Sequence, residues 1–234
     1  NKEKQIKEDI PNDKVKYFLM IPLEQENFIA TFNEICQKLE KENPKDFDKN
    51  LFIKHQKLHI TLLVLDINED KEKTEQVITK IGRASCREEI INDQFIFNFD
   101  KYDCFNSIKN AHVIFAKMLE DENHYKLKSI TNIIIKSLLE KNIITKQDLK
   151  NLKINEEYSD GELIYTIKFH VTLLNVKYLN NFLKAENKQM EKKDFDATDI
   201  LNCIKNISFP ECQMTKINLC AMREELISGK YEVI

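Results

Sequence analysis

The chain has 234 residues, 42% of them hydrophobic, enough to bury a sizeable core as one large domain or two closely packed lobes, which excludes a wholly disordered chain. Lys and Arg (36) nearly balance Asp and Glu (39) for a net charge of −3, so no global field draws the protein to nucleic acid or an anionic membrane, and any phosphate-binding surface must be local. No apolar run approaches the roughly 18 residues of a membrane span, and residues 1–14 are charged and lack the apolar stretch of a secretory signal, so a nuclear or cytoplasmic protein with no membrane partner is expected.

In chain order, 17–23 (YFLMIPL) is a short apolar run bounded by charge and predicts a buried strand. Phe28, Ile29, Phe32, Ile35, Cys36 and Leu39 then recur at three- and four-residue spacing, predicting a helix that ends near Asn43-Pro44. A second strand is predicted over 58–65 and a second helix over 69–80, with Val77 and Ile78 inward. Phe95, Phe97 and Phe99 alternate with Ile96 and Asn98, the period of a strand, and 111–117 (AHVIFAK) reads as its hairpin neighbour. Leu127, Ile130, Ile134 and Leu138 form one stripe on a helix over 122–141. A long strand follows over 165–176, a helix over 197–206, and a closing hairpin of 216–222 with 231–234 across Ser228-Gly229. The polar stretches 142–162 and 177–196 lack clear periodicity and read as surface insertions, and the lysines of 188–193 as a solvated face. The order is that of an α+β fold, with helices covering antiparallel sheet. One stretch, 81–88 (IGRASCRE), breaks the compositional style of the chain and resembles the translation of a sequencing-adapter oligonucleotide, so Arg83, Cys86 and Arg87 are given no role.

Chemistry is concentrated in an internal echo, KLHITLL at 57–63 and KFHVTLL at 168–174. Side chains alternate along a strand, so His59 and Thr61 share one face while Leu58, Ile60 and Leu62 take the other. His170 and Thr172 are set against Phe169, Val171 and Leu173 in the same way. Lys57 and Lys168 lie one step further along the histidine face, where a flexible ammonium can steer and bind phosphate. Phosphodiester cleavage needs a base for the attacking oxygen, an acid for the departing one and donors for the non-bridging oxygens. Two imidazoles supply the first two and the hydroxyls of Thr61 and Thr172 the third. The motif does not say which histidine is acid and which is base. The six cysteines form no C-x-x-C pair and no metal-ligand spacing with the five histidines, so no metal, no cofactor and no disulfide framework are expected.

The two H-x-T strands, with the opening YFLMIPL and closing KINLCAM strands, resemble the two-histidine (2H) phosphoesterase superfamily. The likeness is strongest to the branch of the A-kinase anchoring protein 7 phosphoesterase-like domain and activating signal cointegrator 1 complex subunit 1, and Phe195-Asp196 with Asp199-Ile200-Leu201 resembles the latter in particular. The resemblance runs from about Val15 to Glu232. It implies a single bilobal domain over 15–234, with two pseudo-twofold-related lobes and the cleft between them, preceded by a charged extension (1–14) read as the end of a truncated upstream region. It implies a phosphodiesterase acting on RNA ends or on AMP-like or cyclic nucleotide phosphates, with Phe105 near the cleft as a base-stacking aromatic. The alternative it implies is a non-catalytic nucleotide- or RNA-binding subunit of a nuclear coactivator or repair complex, with protein partners. The cointegrator subunit carries an RNA-binding KH domain ahead of this region, and no KH-type G-x-x-G occurs in this sequence, so either the chain is truncated or it belongs to the simpler branch.

Overall fold

The computed structural model describes residues 17–65, 95–152, 154–159, 161–188, 191–224 and 228–233. The predicted helix over 69–80 and the anomalous stretch 81–88 lie outside these residues.

The opening strand β1 (Tyr17–Pro22) is buried at every position, which explains its unbroken apolar run. One face, Tyr17, Leu19 and Ile21, joins the main core. The other, Phe18 and Met20, forms a second small cluster with Cys220, Val64 and Tyr231. Helix α1 (Glu26–Glu42) buries Phe28, Phe32, Ile35 and Leu39, a stripe at the predicted spacing. It stops at Asn43, whose left-handed backbone (φ 44°) lets its N–H return to the Leu39 carbonyl at 2.9 Å.

After two short 3-10 turns (Lys49–Leu51 and His55–Lys57), β2 runs over His59–Leu65. The phenylalanine alternation at 95–99 is shared between two strands. β3 (Ile96–Phe97) pairs with β9 (Cys212–Gln213) in a separate two-stranded sheet, while β4 (Phe99–Phe105) makes the predicted hairpin with β5 (Val113–Met118). Helix α2 (Glu122–Glu140) follows, capped by Asp121, which accepts the His124 N–H.

Both stretches read as insertions carry ordered structure. Residues 142–162 hold helix α3 (Lys146–Asn151), begun by a Thr145–Asp148 capping box, and β6 (Asn155–Ser159), which turns at Gly161 (φ 82°) into β7 (Glu162–Thr166). Residues 177–196 hold most of α4 (Val176–Ala185), which starts directly from β8 (His170–Asn175) because the Asn175 side chain accepts the Lys177 N–H. The strand predicted over 165–176 is thus two strands separated by 167–169. Helix α5 (Thr198–Ile204), β10 (Asn218–Glu224) and β11 (Tyr231–Val233) complete the chain.

The main sheet has seven strands in the order β11-β10-β1-β2-β8-β5-β4. Two lobes share it: β11-β10-β1-β2 and β8-β5-β4 meet where Ile60 of β2 lies opposite Val171 of β8. The fold is therefore mixed helix and antiparallel sheet, with α1, α2 and α5 packed into one core against the sheet face that carries Ile60, Leu62, Val171 and Leu173. The opposite face carries the histidines.

The echo in sequence is an echo in register. On β2, Met20 faces Thr61 and Leu19 faces Leu63, leaving Leu62 without a partner. On β8, Phe115 faces Thr172 and Ile114 faces Leu174, leaving Leu173 unpartnered. Each motif strand thus carries a β-bulge at the first leucine of its Leu-Leu pair. The bulge resolves what simple alternation cannot: Leu62 and Leu63, like Leu173 and Leu174, are consecutive residues and all four are buried in the core.

Candidate active site

Strand alternation up to the bulge sets His59, Thr61, His170 and Thr172 on the face away from the helices, all half-buried. With Ile60 opposite Val171, the antiparallel register levels His59 with Thr172 and Thr61 with His170. Directly opposed side chains in such a pair have Cβ atoms on the order of 5 Å apart, so the structure brings the four predicted residues into one cluster across the lobe junction.

Each imidazole is held in the same way. His59 Nδ1 lies 2.6 Å from the Lys57 carbonyl and His170 Nδ1 lies 2.7 Å from the Lys168 carbonyl. A carbonyl oxygen only accepts, so Nδ1 carries the proton in both rings and Nε2 presents a lone pair. At His59 that lone pair receives the Thr61 hydroxyl, 3.0 Å away.

Burial disfavours the imidazolium at both positions. His59 is pushed down to about 4, first by desolvation and further by the proximity of His170 and the Lys57 charge, with the Lys57 carbonyl opposing the shift. His170 is lowered by desolvation and by the Lys168 charge, again opposed by its carbonyl partner.

Both lysines lie before their strands, not on them. Lys57 closes the 3-10 turn His55–Lys57, and Lys168 sits in the 167–169 link. The contribution to the histidines seen in the structure comes from their backbone carbonyls. Their side chains differ. Lys57 is 9% exposed, with its ammonium 4.9 Å from the centre of the Tyr231 ring. Lys168 is half exposed, with its ammonium 4.7 Å from the Phe115 ring centre, 5.4 Å from that of Phe105 and 3.5 Å from the Asp103 carboxylate. Phe105 meets the His170 ring edge-on at 4.9 Å, so it belongs to the site.

Sequence reasoning missed the remaining aromatic wall. Phe18 and Tyr231 stand 5.3 and 5.6 Å from His59, and Phe115 stands 5.0 Å from His170. These residues reach the site only through strand pairing between distant segments, and the sole local hint is the outward position of Phe115 in AHVIFAK. Phe195 and Asp196, by contrast, are scaffold. Phe195 is buried and exchanges backbone bonds with Ala111, and Asp196 accepts from the Thr198 N–H and pairs with Lys109. Among the described residues no group of three or more His, Cys, Asp or Glu side chains is placed to hold a metal ion.

A fold of this order, with one H-x-T strand from each lobe meeting at mid-sheet, defines the class of two-histidine phosphoesterases. The family model described as the AKAP7 2'5' RNA ligase-like domain matches residues 15–234, and the chain belongs to that family. No curated protein sequence matches it. Among solved structures, TT0787 of Thermus thermophilus is similar with a TM-score of 0.56 at 17% identity, over 94% of each chain. E. coli LigT complexed with ATP is similar with a TM-score of 0.51 at 12% identity, over 94% of this chain and 95% of that one. LigT complexed with 3'-AMP gives 0.51 at 14% identity over 94% of each. At these identities the likeness establishes the fold.

Proposed function

We propose that this chain is a phosphodiesterase acting on RNA ends or cyclic nucleotide phosphates, with the two imidazoles making the proton transfers and no step assigned to a metal. The observation that carries this reading is the pair of carbonyl-held histidines, each with Nε2 on the same sheet face, on adjacent antiparallel strands. The nucleotides bound by LigT, ATP and 3'-AMP, support a nucleotide ligand for the shared fold.

Two nearby imidazoles repel a second proton, so the working form of the pair carries one. We assign the base to His59, the ring that burial disfavours most as an imidazolium, and the acid to His170, protonated at Nε2 in the working form. The attacking oxygen then gives its proton to His59 Nε2 as it bonds to phosphorus. The P–O bond to the leaving oxygen breaks, and that oxygen takes the proton from His170. As substrate engages His59 Nε2, the Thr61 hydroxyl turns from that nitrogen to a non-bridging oxygen, and it and the Thr172 hydroxyl donate there as charge develops. Lys168 binds the phosphate, and Phe105 offers a ring for a base.

The test is incubation with oligonucleotides bearing 2',3'-cyclic ends in EDTA. Turnover that requires a divalent metal, or that persists in the His59→Ala, His170→Ala double variant, overturns the mechanism. Binding of AMP by calorimetry without turnover of any such substrate replaces it with a nucleotide-binding subunit. A p-nitrophenyl phosphodiester, whose leaving group needs no acid, separates the two roles: His170→Ala should retain most of its turnover and His59→Ala should not.

A further inference from the structure

We infer that Asn132 is a positioning residue for His170, acting on the backbone segment whose Lys168 carbonyl holds the ring; the inference rests on the catalytic reading above. Asn132 is buried on α2, 7% exposed, in a helix whose other buried residues, Thr131 apart, are all apolar. Asn is a poor helix former, and its amide is costly to bury unless its hydrogen bonds are met. Here Oδ1 accepts the Tyr165 N–H at 2.5 Å, and Nδ2 donates to the Tyr165 carbonyl and to the Lys128 carbonyl, both at 2.9 Å. A donor and an acceptor offered to one residue's peptide groups are what a neighbouring strand would offer. Tyr165 pairs with Glu156 of β6 on its other side. Asn132 therefore stands in for the missing neighbour along β7.

The consequence lies three residues further on. β7 ends at Thr166, and Ile167, Lys168 and Phe169 carry the chain to β8. The buried rings of Tyr165 and Phe169 anchor the two ends of this link, and the Asn132 clamp holds the backbone from which it departs, at Tyr165. The first lobe reaches the same end with main-chain bonds around its own tether. Lys57 N–H donates to the Lys54 carbonyl at 2.8 Å, Leu58 N–H to the His55 carbonyl at 3.2 Å, and Leu23 N–H to the Leu58 carbonyl at 3.0 Å. Upstream of the His170 tether the backbone is held by a side chain from a helix, whereas around the His59 tether it is held by main-chain bonds.

The test reads the ring itself. In the full chain labelled with 15N, long-range proton–nitrogen correlation above neutral pH should show both His59 and His170 as the Nδ1–H tautomer. Asn132→Ala should leave His59 unchanged and move His170 to a mixture of tautomers, with kcat lowered about tenfold and KM unchanged. Asn132→Asp, which keeps the acceptor for the Tyr165 N–H and loses the donor, serves if the alanine variant does not fold, and it should give the same change at His170. Ile135→Val, a buried neighbour on the same helix, should lower Tm without altering either ring. A foldable Asn132 variant that lowers Tm like Ile135→Val and leaves His170 wholly in the Nδ1–H form would overturn the inference. Because the tautomer is read without substrate, a wild-type protein that turns nothing over would sink the catalytic reading and leave this test intact.

Discussion

The two halves of the site repeat one another in the backbone and differ in everything laid over it. Both motif strands place the His before the Thr, bulge at the next residue and bury both leucines, and both tie Nδ1 to the carbonyl two residues upstream. Above that frame, His59 sits against Phe18 and Tyr231 with Lys57 buried, while His170 sits against Phe105 and Phe115 with Lys168 exposed and paired to Asp103. The geometry that the two histidines share is encoded within seven residues. The polarity that makes one differ from the other is supplied by strands elsewhere in the chain.

Removing either imidazole breaks the comparison most directly. With natural phosphodiesters, His59→Ala and His170→Ala should each lower kcat by about 10²- to 10⁴-fold, the usual range for a lost acid or base, measured by initial rates in EDTA. Unequal losses with a poor leaving group would show that the halves do not contribute matching steps. Thr61→Val, which keeps the β-branched shape and removes the hydroxyl bonded to His59, should fold normally and lose on the order of a hundredfold in rate. A change in Tm with the rate intact would make Thr61 structural.

The lysines sharpen the difference. Lys168→Met should raise KM about tenfold, as expected for one lost charged hydrogen bond, with kcat largely unchanged. Lys57→Met should act more on Tm than on KM, because its ammonium is buried over Tyr231. Equal effects on KM would place both ammonium groups at the phosphate. The smallest effect is on stability against pH. Both folded-state histidines are depressed, so the unfolded chain, with ordinary values of about 6.5, takes up protons first. Stability is complete above about pH 6.5 and falls as the pH drops towards the folded value of His59, about 4. Urea melts at about pH 7.5 and about pH 5 should show this loss, and His59→Gln should reduce it.

The features legible in the sequence were those fixed by local periodicity. The α1 stripe, the α2 stripe and the H-x-T faces all follow from residues within a few positions of each other. Helix α4 was hidden because no breaker separates it from β8: Asn175 ends the strand and caps the helix at once. The break at 167–169 was hidden because Ile167 and Phe169 continue the apolar pattern of Tyr165. Tyr231 and Phe18 could not be found because their approach to His59 requires β1 to pair with both β2 and β10. The bulges had a visible trace in the doubled leucines, which alternation alone cannot bury.

The strand order also bears on how the protein is made. Lobe β8-β5-β4 comes from one continuous interval, residues 99–175, whereas lobe β11-β10-β1-β2 joins residues 17–65 to residues 218–233. On a ribosome the second half of the site can pair its strands while the first still waits for β10, leaving the apolar edge of β1 open for most of synthesis. Refolding in solution should show the same order, because closing the longer span loses more chain entropy before any contact forms. Pulse-labelled hydrogen exchange should find the amides of β5 and β8 protected before those shared by β1 and β10, and simultaneous protection would mean that the sheet forms in one step.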